Sequence, residues 1–105
     1  MMPLNRLTFS VEAEHDLETI FEYGLAQWGV KRTRAYAVGL DRVFEQLLEF
    51  PELGPLVNAD VEKITHVRRY FSGNHVVLYE IVDDALFIIR VAHQQSDWLA
   101  YLLER

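Results

Sequence analysis

Apolar residues recur at spacings of three and four in two long stretches of the N-terminal half, which is the period of an amphipathic helix. The first stretch predicts a helix over residues 11–28, with the apolar stripe Ala13, Leu17, Ile20, Phe21 and Trp28. The second predicts a helix over 31–50, with the stripe Ala37, Leu40, Phe44, Leu47 and Leu48. Ser10 is the predicted N-cap, Gly29 separates the helices and Pro51 ends the second. So short a break predicts an antiparallel helical hairpin, with Gly39 marking a close contact between the helices.

Shorter stretches predict four strands. Leu7 and Phe9 alternate with polar neighbours in 4–10, and three further strands are predicted over 64–71, 75–82 and 85–93. The last three are separated by the turn sequences Ser72-Gly73-Asn74 and Asp83-Asp84, which are typical of hairpins. The third and fourth strands are almost continuously apolar, which indicates burial on both faces. A final helix is predicted over 98–105, with Asp97 as its N-cap.

The element order β-α-α-β-β-β-α predicts an α+β fold, a small, mostly antiparallel sheet packed against the N-terminal helical hairpin. We expect residues 1–105 to form a single domain. The first strand is expected to join the same sheet, since an isolated strand cannot satisfy its backbone hydrogen bonds.

Composition limits the function classes. The chain has 10 Lys and Arg against 16 Asp and Glu, a formal charge of −6, so direct sequence-specific nucleic-acid binding is not expected. No cysteine is present, which excludes thiol catalysis and thiolate metal sites. With no signal-peptide pattern and no apolar run of about 18 residues, we expect a soluble, cytoplasmic protein without a membrane partner.

The four histidines fall on separate predicted elements, so neither a metal site nor a cofactor is expected. His15 is expected to face solvent on the first helix. His75 and His93 stand at strand ends, where a hydrogen-bonded structural role is favoured over a chemical one.

Basic and aromatic residues concentrate in the C-terminal strands and just beyond them: Arg68, Arg69, Tyr79, Arg90, His93 and Trp98. Arg90 lies within an apolar run, and a buried guanidinium without a carboxylate would be costly. Two interpretations stay open. Arg90 pairs with Glu80 or with an acid of the first helix, tying sheet to helix. Alternatively, these arginines form a basic patch for a carboxylate-rich or nucleic-acid-bearing partner.

An ordered set of short motifs resembles the ParE-type toxins of the RelE/ParE superfamily. The opening Phe9-Ser10-Val11-Glu12-Ala13-Glu14-His15-Asp16-Leu17 is similar to their first strand and helix start, and Phe50-Pro51-Glu52-Leu53-Gly54 to their Pro-x-x-Gly connector. The later pieces are Val67-Arg68-Arg69-Tyr70-Phe71, His75-Val76-Val77-Leu78-Tyr79, Arg90-Val91-Ala92-His93 and Asp97-Trp98. Together they cover nearly the whole chain in the family's order.

The resemblance implies the toxin of a type II toxin–antitoxin module, associated with plasmid stabilization and growth inhibition. It would inhibit DNA gyrase by binding and be neutralised by a ParD-like antitoxin. Two alternatives remain, a ribosome-dependent mRNA-cleaving endoribonuclease of the RelE type and a non-toxic antitoxin-binding module. Ribonuclease activity is disfavoured because Gln94 or Gln95, and His75 or Val76, stand where RelE relatives carry phosphate-stabilising arginines. No catalytic residue is therefore assigned; in a ribonuclease they would be His93, Tyr79 and Arg68.

Two surfaces follow from this interpretation. The expected target-binding residues are Arg68, Arg69, Arg90, His93 and Trp98. The first helix carries acids without Lys or Arg, so part of the antitoxin is expected to be basic, and the expected antitoxin-binding residues are Glu14, Glu18, Glu22, Trp28 and Tyr36. Apolar surface on the hairpin would also allow a homodimer or a hetero-oligomer with the antitoxin.

Overall fold

Helices and strands follow one another in the predicted order in a computed structural model, which describes residues 2–57 and 61–104. The elements are β1 (Arg6–Phe9), α1 (Val11–Trp28), α2 (Val30–Glu49), β2 (Arg68–Ser72), β3 (His75–Val82), β4 (Ala85–His93) and α3 (Trp98–Leu103), with a 3₁₀ turn at Glu62–Ile64 before β2. The predicted bounds of α1, β3 and β4 are those observed. Arg105, the last residue of the predicted final helix, lies outside the described residues.

Local sequence signals set the helix ends. The Ser10 hydroxyl accepts a hydrogen bond from the Ala13 backbone N–H at 2.9 Å, which confirms the N-cap. Gly29 has φ 84°, a left-handed conformation that favours glycine, and it is the single residue between the end of α1 and the start of α2. Asp97 caps α3 by accepting from the Ala100 N–H at 3.4 Å.

The four strands form one mixed sheet in the order β1-β4-β3-β2. The two hairpins make β2, β3 and β4 antiparallel neighbours, whereas β1 joins the free edge of β4 in parallel. The parallel pairing runs from Arg6 opposite Ala85 to Phe9 opposite Ile88. The first strand therefore completes the same sheet, and the α+β fold class is confirmed.

Helices cover both faces of the sheet. α1 and α2 bury the core cluster Ala13, Leu40, Phe44, Leu47, Val77, Tyr79, Leu86, Ile88 and Val91. On the opposite face, α3 and the 3₁₀ turn cover a second cluster, consisting of Ile64, Val67, Val76, Leu78, Ile89, Ala92 and Leu102. The near-continuous apolar character of β3 and β4 is explained by this two-sided burial.

Two predictions are wrong in detail. The strand predicted from residue 64 begins at Arg68, because Ile64 and Val67 are buried under α3 by a 3₁₀ turn rather than by a pleated strand. Gly39 makes no close helix contact, since a Cβ there would meet nothing within 4 Å. The close approach is at Gly24, where a Cβ would lie 2.8 Å from Thr33 Oγ1.

Across residues 2–57 and 61–104, no helix combines the length and the apolar character needed to cross a membrane.

Candidate functional site

A groove of about 480 Å³ opens where the end of α1 and the start of α2 meet one end of the β3–β4 hairpin. His75 is the first residue of β3 and His93 the last of β4, and the antiparallel register places them directly opposite each other. The hairpin therefore brings together two histidines that are distant in sequence. The lining residues are Thr19, Ile20, Tyr23, Trp28, Arg32, Asn74, His75 and His93.

Five rings contact one another in succession, and we call them the ring series: Tyr23, Trp28, Tyr36, His75 and His93. All of them except Tyr36 line the groove. Successive ring centroids are 6.0, 5.9, 5.5 and 5.7 Å apart, mostly in edge-to-face geometry. The Arg32 guanidinium lies 4.8 Å from the Trp28 ring centroid, a cation–π distance. An aromatic wall with one adjacent cation results.

Hydrogen bonds occupy the Nδ1 atom of both imidazoles. The Tyr36 hydroxyl contacts both the Ser72 carbonyl, at 3.2 Å, and His75 Nδ1. The single hydroxyl proton of Tyr36 serves either the Ser72 carbonyl or His75 Nδ1, and the tautomer of His75 follows from which of the two accepts it. His93 Nδ1 instead accepts from the Gln95 backbone N–H at 3.1 Å, so neutral His93 carries its hydrogen on Nε2.

Burial favours the uncharged forms in this part of the groove. Burial lowers the pKa of His75, the neighbouring His93 lowers it further, and Asp16 raises it by a smaller amount. Burial also raises the pKa of the Tyr36 hydroxyl. At neutral pH, the neutral imidazole of His75 and the protonated hydroxyl of Tyr36 are therefore favoured.

Arg90 pairs with an acid of the first helix, one of the two alternatives left open by the sequence. Its Nε and Nη2 atoms donate to the two Asp16 carboxylate oxygens at 2.8 and 2.9 Å, and the Val91 N–H donates to the same carboxylate at 2.9 Å. The Tyr101 ring lies 4.7 Å from the guanidinium. This side-chain hydrogen bond to Asp16 raises the pKa of Arg90. The register of β4 on β3 shifts between Leu78 and Tyr79, next to the pairing of Leu78 with Arg90.

The other basic residues of β2 hold the connector that follows α2. Arg68 donates to the Gly54 and Glu52 carbonyls at 2.9 and 3.3 Å, and Arg69 donates to the Leu56 carbonyl at 3.0 Å. Trp98 is half-buried against the second core cluster. The five expected target-binding residues thus lie in separate places, and among them His93 alone lines the groove.

Tyr79 does not lie beside His93. It is fully buried, its hydroxyl donates to the Pro51 carbonyl at 2.8 Å and accepts from the Gly54 N–H at 2.9 Å, and burial raises its pKa. It stands four residues along β3 from His75, a separation of about 13 Å. The structure does not bring His93, Tyr79 and Arg68 together as a catalytic set.

The expected antitoxin-binding residues fall into two groups. Glu14, Glu18 and Glu22 are exposed at intervals of four residues along α1, forming an acidic stripe. Trp28 and Tyr36 are half-buried in the ring series. His15 is exposed, as predicted.

Sequence reasoning missed Tyr23, Arg32 and Asn74 as groove residues. The spacing of Trp28 and Arg32 was a usable signal, because these residues stand four positions apart across the Gly29 break. The described residues contain no cluster of three or more metal-ligating side chains.

Comparisons with known proteins match this architecture over most of the chain. The family described as the ParE toxin of the type II toxin–antitoxin system, parDE, matches residues 7–98. The protein Toxin ParE1 of Caulobacter vibrioides is 37% identical over 93 residues, which cover 89% of this chain and 93% of that protein.

Two solved structures share the fold. The chromosomal ParDE toxin–antitoxin system of P. aeruginosa superposes with a TM-score of 0.69 at 14% identity, covering 86% of this chain and 96% of that one. The RelBE2 toxin–antitoxin complex of Mycobacterium tuberculosis superposes with a TM-score of 0.61 at 24% identity, covering 89% of this chain and 100% of that one. The family match spans β1 to the start of α3, and with the 37% identical relative it establishes that this chain belongs to the ParE toxin family of type II toxin–antitoxin systems.

Proposed function

We propose that this toxin acts in the cytoplasm by binding and inhibiting DNA gyrase, and that a ParD-like antitoxin neutralises it. The observation that carries the proposal is the family match over residues 7–98. The relative in C. vibrioides is named as a toxin of the same type, and the P. aeruginosa neighbour is a ParDE system. We expect production of the protein without its antitoxin to arrest growth.

The chemistry of the groove supports action by binding rather than by catalysis. RelE-type cleavage uses a cluster of basic side chains to stabilise the charge of the phosphoryl group. Among the described groove residues, Arg32 supplies the one guanidinium, and burial lowers the pKa of His75. Arg68, Arg69 and Arg90 bond to carbonyls or to Asp16.

The second candidate is an mRNA-cleaving enzyme. The observation that favours it is the pair of imidazoles facing one groove, since histidines are the commonest general acid–base groups. Against it stand the lowered pKa of His75, which leaves no imidazolium there to act as an acid at neutral pH, and the burial of Tyr79.

The first prediction concerns gyrase. Purified protein at micromolar concentration is expected to abolish supercoiling of relaxed plasmid by gyrase. His93→Ala should weaken this inhibition by about tenfold, because His93 lines the groove and is exposed to a partner. The readout is the concentration that halves supercoiling, measured beside the thermal unfolding midpoint of each variant.

His15→Ala is the matched control, since His15 is also exposed but lies on α1 outside the groove lining. Unchanged supercoiling at these concentrations would contradict the proposal. Cleaved transcripts in a translating extract would then assign the ribonuclease function, and normal growth without an antitoxin would assign a non-toxic binding module.

The second prediction concerns the antitoxin. Changing Glu14, Glu18 and Glu22 together to lysine is expected to weaken the complex with the cognate antitoxin at least about tenfold at low salt, because it reverses the charge facing a basic segment. The loss should shrink as ionic strength rises, since exposed charges are screened. Titration calorimetry at two salt concentrations measures both effects.

The control makes the same charge change elsewhere. Asp41, Glu45 and Glu49 are exposed on α2 at the same spacing, and their change to lysine should leave affinity within about twofold. Equal affinities for the two triple variants would remove the acidic stripe from the antitoxin interface.

A further inference from the structure

The groove presents two imidazole side chains beside aromatic rings. Both Nδ1 atoms are already used, by Tyr36 for His75 and by the Gln95 N–H for His93. The polar atom left to each ring is therefore Nε2, which donates on His93 and donates or accepts on His75 according to its tautomer. The two ring centroids lie 5.7 Å apart, so both imidazoles are within reach of one ligand.

We propose that this groove binds a nucleoside monophosphate, with its base against the ring series and its phosphate on Arg32. A nucleobase edge displays both donors and acceptors, so it can pair with the two Nε2 atoms in either tautomer of His75. A phenyl group offers neither, and an indole offers a donor alone. Of the common planar ligand groups, a base therefore fits this pair best.

The size and walls of the groove suit a single stacked base. Its volume of about 480 Å³ lies in the range of small-molecule sites. Tyr23 and Trp28 line it, and Tyr23 is 59% exposed, so its ring is accessible to a ligand. Stacking of a base on an aromatic ring contributes about 1–3 kcal/mol in nucleic-acid binding proteins.

Charge around the groove favours one phosphate over a strand. Arg32 is exposed and lies over Trp28, where a guanidinium can hold a phosphate bidentately. Glu18 and Glu22, both exposed, flank the groove residues Thr19 and Tyr23 on α1. These carboxylates would repel the phosphates of a polyanionic strand, whereas a single phosphate bound to Arg32 can lie away from them.

The test is an NMR titration of the protein with AMP, GMP, CMP and UMP in separate experiments. At least one of them is expected to shift the imidazole signals of His75 and His93 and the indole N–H signal of Trp28. The indole signal of Trp98, which packs on the other face of the sheet, should not move.

Adenosine and inorganic phosphate, titrated separately, distinguish the contributions of base and phosphate. Arg32→Ala is expected to weaken nucleotide binding about tenfold with little effect on adenosine. Arg34→Ala is the control, because Arg34 is exposed on the same helix but does not line the groove.

Three outcomes would overturn the proposal. If millimolar nucleotide shifts none of the His75, His93 and Trp28 signals, the groove is not a nucleotide-binding site. Equal shifts of the same signals with inorganic phosphate alone would show that the groove binds an anion without a base. Binding of an RNA trinucleotide more than tenfold tighter than any monophosphate would show that the groove binds a strand. Gyrase inhibition is measured independently, so either proposal can fail without the other.

Discussion

Gly54→Ala is expected to cost at least about 3 kcal/mol of folding free energy, enough to leave much of the protein unfolded at 37 °C. A Cβ at this position would lie 2.4 Å from the Arg69 carbonyl oxygen and 2.7 Å from the Tyr79 hydroxyl, both too close for a real contact. The connector cannot retreat easily. The Gly54 N–H donates to Tyr79 and its carbonyl accepts from Arg68, so moving it breaks buried hydrogen bonds.

Gly39→Ala is the matched control. Gly39 is exposed in the middle of α2 with open space around it, so alanine should stabilise the protein by about 0.5–1 kcal/mol through helix propensity. Urea unfolding followed by circular dichroism measures both variants. A Gly54→Ala protein within about 1 kcal/mol of the parent would show that the connector adjusts freely and that this close approach is not structural.

The elements that the sequence predicted well are those with local signals. Ser10 and Asp97 each determine a helix boundary through a hydrogen bond to a near neighbour in the chain, and Gly29 does so through its positive φ, so their effect is visible in the sequence pattern. The β3–β4 hairpin is similarly local, because its turn follows from Asp83-Asp84 and its strands are apolar on both faces.

The features that could not be predicted from the sequence depend on packing between residues that are distant in the chain. Ile64 and Val67 are as apolar as strand residues, and only their burial under α3 distinguishes a 3₁₀ turn from a strand. The choice of Asp16 as partner of Arg90 depends on how α1 crosses β4. The pairing of His75 with His93 needs the register of β3 on β4, so the groove appears only in three dimensions.

Asp16→Ala is expected to cost about 2–4 kcal/mol, because it removes two charge-assisted hydrogen bonds and leaves the Arg90 guanidinium and the Val91 N–H without their carboxylate. The Asp16 and Arg90 side chains are 12% and 26% exposed, so water compensates only partly. A double-mutant cycle with Arg90→Ala isolates the pair, and we expect a coupling free energy of about 2 kcal/mol in urea unfolding.

The ion pair between Arg6 and Asp84 provides the comparison, since its N–O distance is 3.1 Å but its side chains are 61% and 59% exposed. Its cycle should give less than about 0.5 kcal/mol, as expected for a solvent-screened surface pair. A coupling near zero for Asp16 and Arg90 would mean that the guanidinium is free to serve a partner. A large coupling, with loss of toxicity in Arg90→Ala tracking loss of folded protein, would assign Arg90 to holding α1 on the sheet.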